Sequence, residues 1–266
     1  MSYLWASKLS DMKKLFAYLI TFLFFTGCVI QEQFVFDKDG SGEYSMAFNM
    51  DQIMGMGGDS DSTKQVVDTV ITFASFLDEK KDSISQLSEE EQERLELLRP
   101  MTFTMNMNDS LQKFDMRMSY AFKSLDDIDN FSEAVKAANI KELSDMGFGG
   151  AQNDSTQGET GSDPTDDLFG TANSYKTKFS AKGFSRIITT EAREKLIKEK
   201  DTTSEGDAFA DAIIMRQVYK FPYKIKSVDN PNAKIHADFK GVEVEANMMQ
   251  LNNNPDIFNI KVVFER

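Results

Sequence analysis

The chain has 266 residues, 41% of them hydrophobic, and carries 43 acidic against 30 basic side chains, a net charge of −13 at pH 7. Nucleic acid and anionic lipid headgroups are therefore unexpected partners, because polyphosphates and anionic surfaces are bound through basic patches. A single cysteine and a single histidine exclude an internal disulfide and the usual structural zinc site. We expect no cofactor, and either one domain or two small ones.

An apolar segment lies close to the N-terminus. Two lysines follow Met12, an apolar run broken only by Thr21 spans Leu15–Phe25, and a threonine and Gly27 precede Cys28. These are the charged, apolar and small-residue parts of a secretory signal, cleaved before Cys28. The run is shorter than the roughly 20 apolar residues that cross a bilayer. We expect translation to start at Met12, since residues 1–11 have no place in a signal.

A lone cysteine directly after such a site resembles the lipobox of bacterial lipoproteins, although Phe25 stands where that family usually has leucine. The resemblance implies that Cys28 carries a diacylglyceryl thioether, becomes the first residue of the mature chain and is acylated, for example with palmitate, on its new amine. Without residues 1–27 the net charge is about −15. The protein is then exported and lipid-anchored in the cell membrane or outer membrane, facing the periplasm or exposed on the surface. An ordinary cleaved signal and an uncleaved anchor are the alternatives.

Alternating apolar and polar residues predict β-strands through most of the remaining chain. Three hairpins are predicted, pairing 33–36 with 43–50, 101–107 with 114–122, and 175–181 with 184–189. Further strands are predicted at 219–225, 235–239, 242–248 and 258–264. Pro222 cannot donate to a strand ladder, which places the 219–225 strand at an edge or a bulge.

Helical periodicity and capping residues alternate with these strands. An apolar stripe on Val66, Val70, Phe73 and Leu77 predicts a helix over 62–77. Further helices are predicted from Ser88 to Pro100, over 124–138, from Thr190, and from Ser204 through Ile213. We therefore predict an α+β fold of antiparallel sheets, built from hairpin-plus-helix units with the helices on one face and a C-terminal β-meander.

Residues 147–173 interrupt this order. They are rich in glycine, serine, threonine, asparagine and aspartate, and they contain acidic residues but no basic ones. Such a segment cannot bury enough apolar surface to offset its ordering entropy, so we predict a disordered acidic linker. It separates α+β regions at 28–146 and 174–266, which either form two domains or share one sheet.

The joint of the first hairpin resembles half of a calcium loop. Asp37, Asp39 and Ser41 provide oxygens at positions one, three and five of an EF-hand pattern, with Gly42 at position six. Position twelve is Phe48 instead of glutamate, and strands flank the loop where helices should. A tight turn between strands uses the same residues, so the sequence predicts no metal site and leaves these three as a weak calcium candidate.

Five methionines fall on the same faces of consecutive predicted strands: Met46, Met105, Met107, Met116 and Met118. Apolar stripes at strand spacing are usually core. Methionine also adapts to partners of variable shape. The sharper hypothesis is that part of this face lines a deformable pocket for an acyl chain or for a partner's apolar surface.

The usual catalytic constellations are missing. His236 alternates with Ile235 and Ala237, which places it on the solvated side of its strand. No nucleophile elbow is present, because Gly183-Phe184-Ser185 lacks the second glycine. The leading interpretation is a non-enzymatic envelope lipoprotein that binds or scaffolds, with an envelope protein or an apolar ligand as its partner. A carrier of a lipid or another apolar ligand is the first alternative, and a carboxylate-based hydrolase is the second.

The run from Ile225 to Glu245, IKSVDNPNAKIHADFKGVEVE, looks like the C-terminal hairpin of uncharacterised lipoproteins from Gram-negative envelopes. The likeness covers a small part of the chain. It implies the same cellular location and provides no catalytic residue.

Overall fold

The structure of the protein, a computed structural model, describes residues 28–49, 51, 66–137, 174–202 and 212–265. The predicted signal peptide, the predicted linker at 147–173 and the helix predicted from Ser204 fall outside these residues, apart from Ala212 and Ile213. Twelve strands and six α-helices lie within the described ranges. The predicted α+β class is confirmed.

The strands form two sheets. The larger sheet has the order β10-β11-β8-β1-β2-β5-β4-β3, and the smaller has the order β6-β7-β12-β9. Their bounds are β1 Cys28–Phe36, β2 Gly42–Asn49, β3 Val66–Thr72, β4 Met101–Asn108, β5 Lys113–Phe122, β6 Tyr175–Ser180, β7 Gly183–Ile188, β8 Ile213–Lys220, β9 Ile225–Val228, β10 Lys234–Ile235, β11 Gly241–Asn247 and β12 Ile260–Phe264.

The six helices are α1 Phe73–Glu79, α2 Lys81–Ile84, α3 Glu89–Leu97, α4 Leu125–Ala137, α5 Thr190–Thr202 and α6 Met248–Asn253. The predicted capping box opens α3: Ser88 accepts from the backbone N–H of Glu91, and the Glu91 carboxylate accepts from that of Ser88. The 3₁₀ helix Asp109–Leu111 joins β4 to β5.

The larger sheet combines strands from both sides of the predicted linker. β1 pairs with β2 in antiparallel fashion and with β8 in parallel fashion. β8 in turn pairs with β11. The regions at 28–146 and 174–266 therefore contribute to one continuous sheet.

The larger sheet buries one side, here called the inner face, which carries Phe34, Tyr44, Met46, Tyr120 and Tyr219. Alternation along β1, β2 and β5 produces this side, because successive side chains of a strand point to opposite faces of the sheet. The other side, the outer face, carries the residues between them. The hydrophobic core therefore lies against the inner face.

Helices and the smaller sheet cover the inner face at its two ends. Near β5, the ring of Phe131 from α4 stacks on Tyr120 with centroids 4.2 Å apart. Near β1, Phe179 of the smaller sheet stacks on Phe36 at 4.4 Å, and Phe184 lies 4.7 Å from Tyr219. The helices that pack on the larger sheet thus lie on one face, as predicted.

The predicted helix over 62–77 is wrong in its first half. Val66–Thr72 is the edge strand β3, and the helix begins only at Phe73, with Thr72 as its N-cap. Val66 and Val70 lie on the outer face and are 68% and 64% exposed. The run VVDTVIT is dominated by β-branched residues, which favour strands, and this preference outweighs the i, i+4 spacing of two valines.

The C-terminal strands differ from the predicted meander. The predicted strand 219–225 is broken at Pro222, which has no N–H for a ladder. β8 ends in the larger sheet, and β9 begins in the smaller one. β10 and β11 then return to the larger sheet and β12 to the smaller. The chain therefore crosses between the two sheets three times after β8.

Two further boundaries differ from prediction. Ile213, expected at the end of a helix, is the first residue of β8. The strand predicted over 235–239 is reduced to β10, because the chain turns tightly at Phe239, whose φ is +58°. The backbone N–H of Phe239 donates to the carbonyl of His236.

Candidate functional site

The predicted lipidation residue, Cys28, is the first residue of β1 and pairs with Ile213 of β8. Its side chain is half-buried, and burial raises the pKa of the thiol. Cys28 shares the inner-face register with Ile30, Glu32 and Phe34. An anchor at this residue would be attached directly to a central strand. Gly27 lies outside the described residues.

No helix in the described ranges is both long and apolar enough to span a bilayer.

The five predicted methionines all lie on the inner face. Met46 and Met118 oppose each other across β2 and β5 and are 2% and 8% exposed. Met105 and Met116 pair across β4 and β5, are half-buried and pack against the core. Met107 is also half-buried. The first two are core residues by packing, whereas the other three lie towards the end of the sheet that carries Cys28.

The calcium candidate forms a tight turn. The N–H of Asp37 donates to the carbonyl of Ser41, and Gly40 adopts the left-handed region with φ +92°. Asp39 accepts hydrogen bonds from both the N–H and the hydroxyl of Ser41, and these bonds lower the pKa of its carboxyl. Across the described residues, no cluster of three or more His, Cys, Asp or Glu side chains is arranged to hold a metal ion.

His236 is only partly exposed, and the predicted alternation does not hold, because Ile235 and Ala237 on either side of it are both exposed. The Nε2 atom of His236 is 3.6 Å from a carboxylate oxygen of Glu243, and the backbone N–H of His236 donates to the carbonyl of Gly241. A side chain at residue 241 would collide with the imidazole, since an added Cβ would lie 2.1 Å from Nδ1. The glycine at 241 therefore permits the packing of the imidazole against β11.

The most buried charges in the described chain form a pair between the two sheets. The Arg186 guanidinium on β7 donates two hydrogen bonds of 2.7 Å to the Glu32 carboxylate on β1. The two side chains are 0% and 6% exposed. Such a fork-to-fork pair is strong and geometrically specific. It connects the smaller sheet to the larger one at a defined position.

Aromatic side chains enclose this ion pair. The guanidinium carbon of Arg186 lies 4.8 Å from the ring centroid of Phe34 and 4.6 Å from that of Tyr175. The Tyr44 hydroxyl donates to Glu32 at 3.1 Å. Both faces of the guanidinium and the carboxylate therefore have favourable neighbours, as a buried ion pair requires to offset its desolvation.

Burial also shifts the ionisation of this cluster. It raises the pKa of Tyr175 to about 12 and that of Tyr219 above its usual value as well. Burial opposes the charged form of Arg186, but the adjacent Glu32 carboxylate outweighs that effect and raises the pKa of the guanidinium. The arginine therefore stays charged and the phenols stay neutral at physiological pH.

Sequence reasoning missed this pair, although the chain contained a signal for it. Glu32 lies two residues before Phe34, and Arg186 lies between Phe184 and Ile188. Period-two alternation therefore places both charges on the buried sides of their strands. One acid and one base, each on an apolar side, are candidates for a buried pair.

A groove of about 520 Å³ lies on the outer face of the larger sheet. Its lining residues come from β1, β2, β4, β5 and β8, and those that present polar or small side chains include Gln31, Ala47, Asn49, Thr104, Asn106 and Arg117. Volumes of this size are typical of small-ligand sites. The groove was not predicted from the sequence.

Strand register explains where the groove lies. Thr104 opposes Arg117, Arg117 opposes Ala47, Ala47 opposes Gln31, and Gln31 opposes Arg216. These five residues form one row across the sheet. Ala47 is the smallest of them and lies near the middle, so a depression opens over β2.

The two arginines of this row differ in their partners. Arg216 donates from Nε and Nη2 to the same oxygen of Glu245, at 2.8 and 2.7 Å. Arg117 donates to the hydroxyl of Ser45 at 3.3 Å, and none of the described carboxylates forms an ion pair with it. Asp115, the one carboxylate in the groove lining, accepts from the Asn49 amide at 2.8 Å.

Comparison with known proteins identifies no family. No protein-family model matches the chain, and no curated protein is similar in sequence. Among solved structures, the chain is similar to the folded domain of the LppM protein of Mycobacterium tuberculosis, determined by NMR, at a TM-score of 0.32 and 7% identity. The match covers 92% of this chain and 95% of that one. A score this low carries no argument about fold or function, so the functional argument depends on the residues themselves.

Proposed function

We propose that the protein is a lipid-anchored component of the bacterial cell envelope, attached through Cys28, and that its folded part binds or scaffolds without catalysis. The observation that carries this proposal is the position of Cys28. It directly follows the apolar signal segment, and it is also the residue at which β1 begins. The predicted cleavage point therefore lies directly before β1.

The absence of a recognisable reaction centre in the described residues supports the binding role. The buried carboxylate Glu32 is fully engaged by Arg186. The groove is lined by a single carboxylate, whereas a two-carboxylate glycosidase needs a facing pair. The outer-face groove is instead suited to holding a ligand.

Phase separation in detergent tests the anchor. Wild-type protein should partition into the detergent phase, and Cys28→Ser should move to the aqueous phase. Each buried CH₂ of an acyl chain contributes ~0.8 kcal/mol to membrane attachment, so two or more chains make the attachment lasting. Thr26→Ser keeps a small residue before the cysteine and is the matched control that should remain anchored. An unmodified N-terminus in the intact mass of membrane-extracted protein would overturn the proposal.

A second candidate is a carrier of an acyl chain or another apolar ligand. One observation favours it: Met105, Met107 and Met116 are only half-buried and lie on the same face as Cys28. Flexible methionines suit a variable apolar partner.

Native mass spectrometry of the full chain carrying Cys28→Ser, followed by lipid extraction, tests the carrier role. Binding predicts a co-purified apolar molecule that is lost when Met107 and Met116 are replaced by serine. The absence of any such molecule would leave these methionines with a packing role.

A further inference from the structure

A ligand in the groove on the outer face can be recognised only by side chains. β1, β2 and β5 are each paired on both sides, so their main-chain groups are used within the ladders. A peptide strand therefore cannot add at this position, since strand addition requires a free sheet edge. The ligand must be recognised through what the side chains present.

The side chains along the groove are mostly amides and hydroxyls. Gln31 and Asn106 each provide an acceptor and two donors in one amide group, and Thr104 adds a hydroxyl. The Asn49 amide is already bonded to Asp51 and Asp115. The groups of Gln31, Asn106 and Thr104 match neighbouring hydroxyl groups, which both donate and accept. Phe48 is the aromatic residue of the lining, but its ring is buried on the inner face, so a stacked base or flat aromatic ligand has no platform.

Positive charge lies on both sides of Ala47 in the row, at Arg117 and at Arg216. Three strand spacings separate Arg117 from Arg216, which corresponds to about 14 Å between their Cα atoms. Arg117 has a guanidinium free of ion pairs within the described chain, and a guanidinium binds carboxylates with two parallel hydrogen bonds. In a chain of net charge −13, this exposed cation marks a local preference for an anionic group.

We propose that this groove binds a short acidic oligosaccharide, with a uronate carboxylate on Arg117 and the sugar hydroxyls on the amides that line the floor. The small side chain of Ala47 makes room for a sugar ring over β2. This inference rests on the proposed binding role and specifies its ligand class. It does not depend on the lipid anchor.

The inference is tested by calorimetry on the full mature chain extracted in detergent. The probe is tetragalacturonic acid, and its fully methyl-esterified form serves as the uncharged ligand of the same chain. The acid should bind, and esterification should weaken binding at least tenfold. A polyphosphate of matched charge should bind more weakly than the acid, because it offers no hydroxyls to the amides.

Variants locate the binding. Arg117→Gln should weaken binding of the acid at least tenfold, and Ala47→Leu should abolish it by filling the floor. Thr104→Val removes a hydroxyl at nearly constant shape and should weaken binding severalfold, which keeps the test valid if the leucine variant fails to fold. Lys226→Gln removes one exposed charge from the smaller sheet and is the control that should bind normally.

Three results would overturn the inference: no binding of the acid by wild-type protein, equal binding of the ester or the polyphosphate, or normal binding by Arg117→Gln. None of them would affect the anchor, because detergent partitioning is measured independently. A protein that partitions into detergent yet fails to bind the acid would lose only the ligand assignment.

Discussion

The two faces of the larger sheet differ in how they treat charge. On the inner face, the pair of Glu32 and Arg186 is buried, joined by two hydrogen bonds and flanked by aromatic rings. On the outer face, Arg117 is exposed at a groove and donates a hydrogen bond to a serine hydroxyl, without an ion pair to any described carboxylate. The first arrangement contributes to the register of the two sheets, and the second leaves a charge available for a ligand. Charge alone therefore does not mark function, whereas charge with unused bonding capacity does.

The largest loss of stability is expected when one partner of the buried Glu32–Arg186 pair is removed. Arg186→Met should lower the free energy of unfolding by about 3–5 kcal/mol, because Glu32 remains buried without a counter-charge. The double variant Glu32→Leu with Arg186→Met should lose much less. Urea unfolding measures both. Equal losses in the single and double variants would mean that the missing guanidinium packing, rather than the orphaned charge, determines the cost.

The inner face can next be divided by truncating its methionines. Met46→Ala should cost about 2–5 kcal/mol, since the side chain is almost fully buried and its loss leaves a cavity. Met107→Ala should cost less than half as much, because that side chain is only half-buried. Thermal and urea unfolding of the two variants provide the comparison. A Met107→Ala cost as large as that of Met46→Ala would place Met107 in the rigid core and weaken the carrier candidate.

Stability at alkaline pH tests the burial of Tyr175 beside the ion pair. Burial raises the pKa of Tyr175 from its ordinary value near 10.0 to about 12, so the unfolded state ionises first. The stability from keeping this phenol neutral is complete below pH 10 and is lost as pH rises from 10 to 12, an effect on the order of 2 kcal/mol. Tyr175→Phe keeps the ring over Arg186 and should flatten this decline. Unfolding free energies measured across that range give the answer, and an unchanged slope would exclude Tyr175 as its source.

The smallest effect on stability is expected on the outer face. Arg117→Gln should change the free energy of unfolding by no more than about 0.5 kcal/mol, as is usual for exposed positions without a buried partner. The same urea series measures it. A loss above 1 kcal/mol would indicate that Arg117 stabilises the sheet, and its charge would then not be available to a ligand in the groove.

Local patterns predicted the elements better than their arrangement. The first hairpin, the Ser88 capping box and the hairpin around Gly183 follow from neighbouring residues, and the structure confirms them. The parallel pairing of β1 with β8 joins residues from opposite ends of the chain, and no local periodicity encodes it. Edge strand β3 was missed because two valines at i, i+4 match a helix as well as a strand.

The candidate groove could not be predicted from the sequence. Its row combines Thr104, Arg117, Ala47, Gln31 and Arg216, which come from five strands of different registers. Each residue is unremarkable in its own segment. Only the order of strands in the sheet brings an alanine between two arginines, so the register has to be known before the groove can be seen.

The pairing of β1 with β8 determines the order in which the larger sheet can form while the chain is synthesised. β1 can form its hairpin with β2 as soon as both have been synthesised, but its second edge stays unpaired until residues 213–220 are added. Long-range parallel pairing of this kind forms slowly, because a large loop must close before any contact compensates. Until then, the strand that would carry the lipid presents an open edge to its surroundings. Of the described strands, β1 is synthesised first and is one of the last to be completed, and a chain truncated before residue 213 would expose that edge permanently.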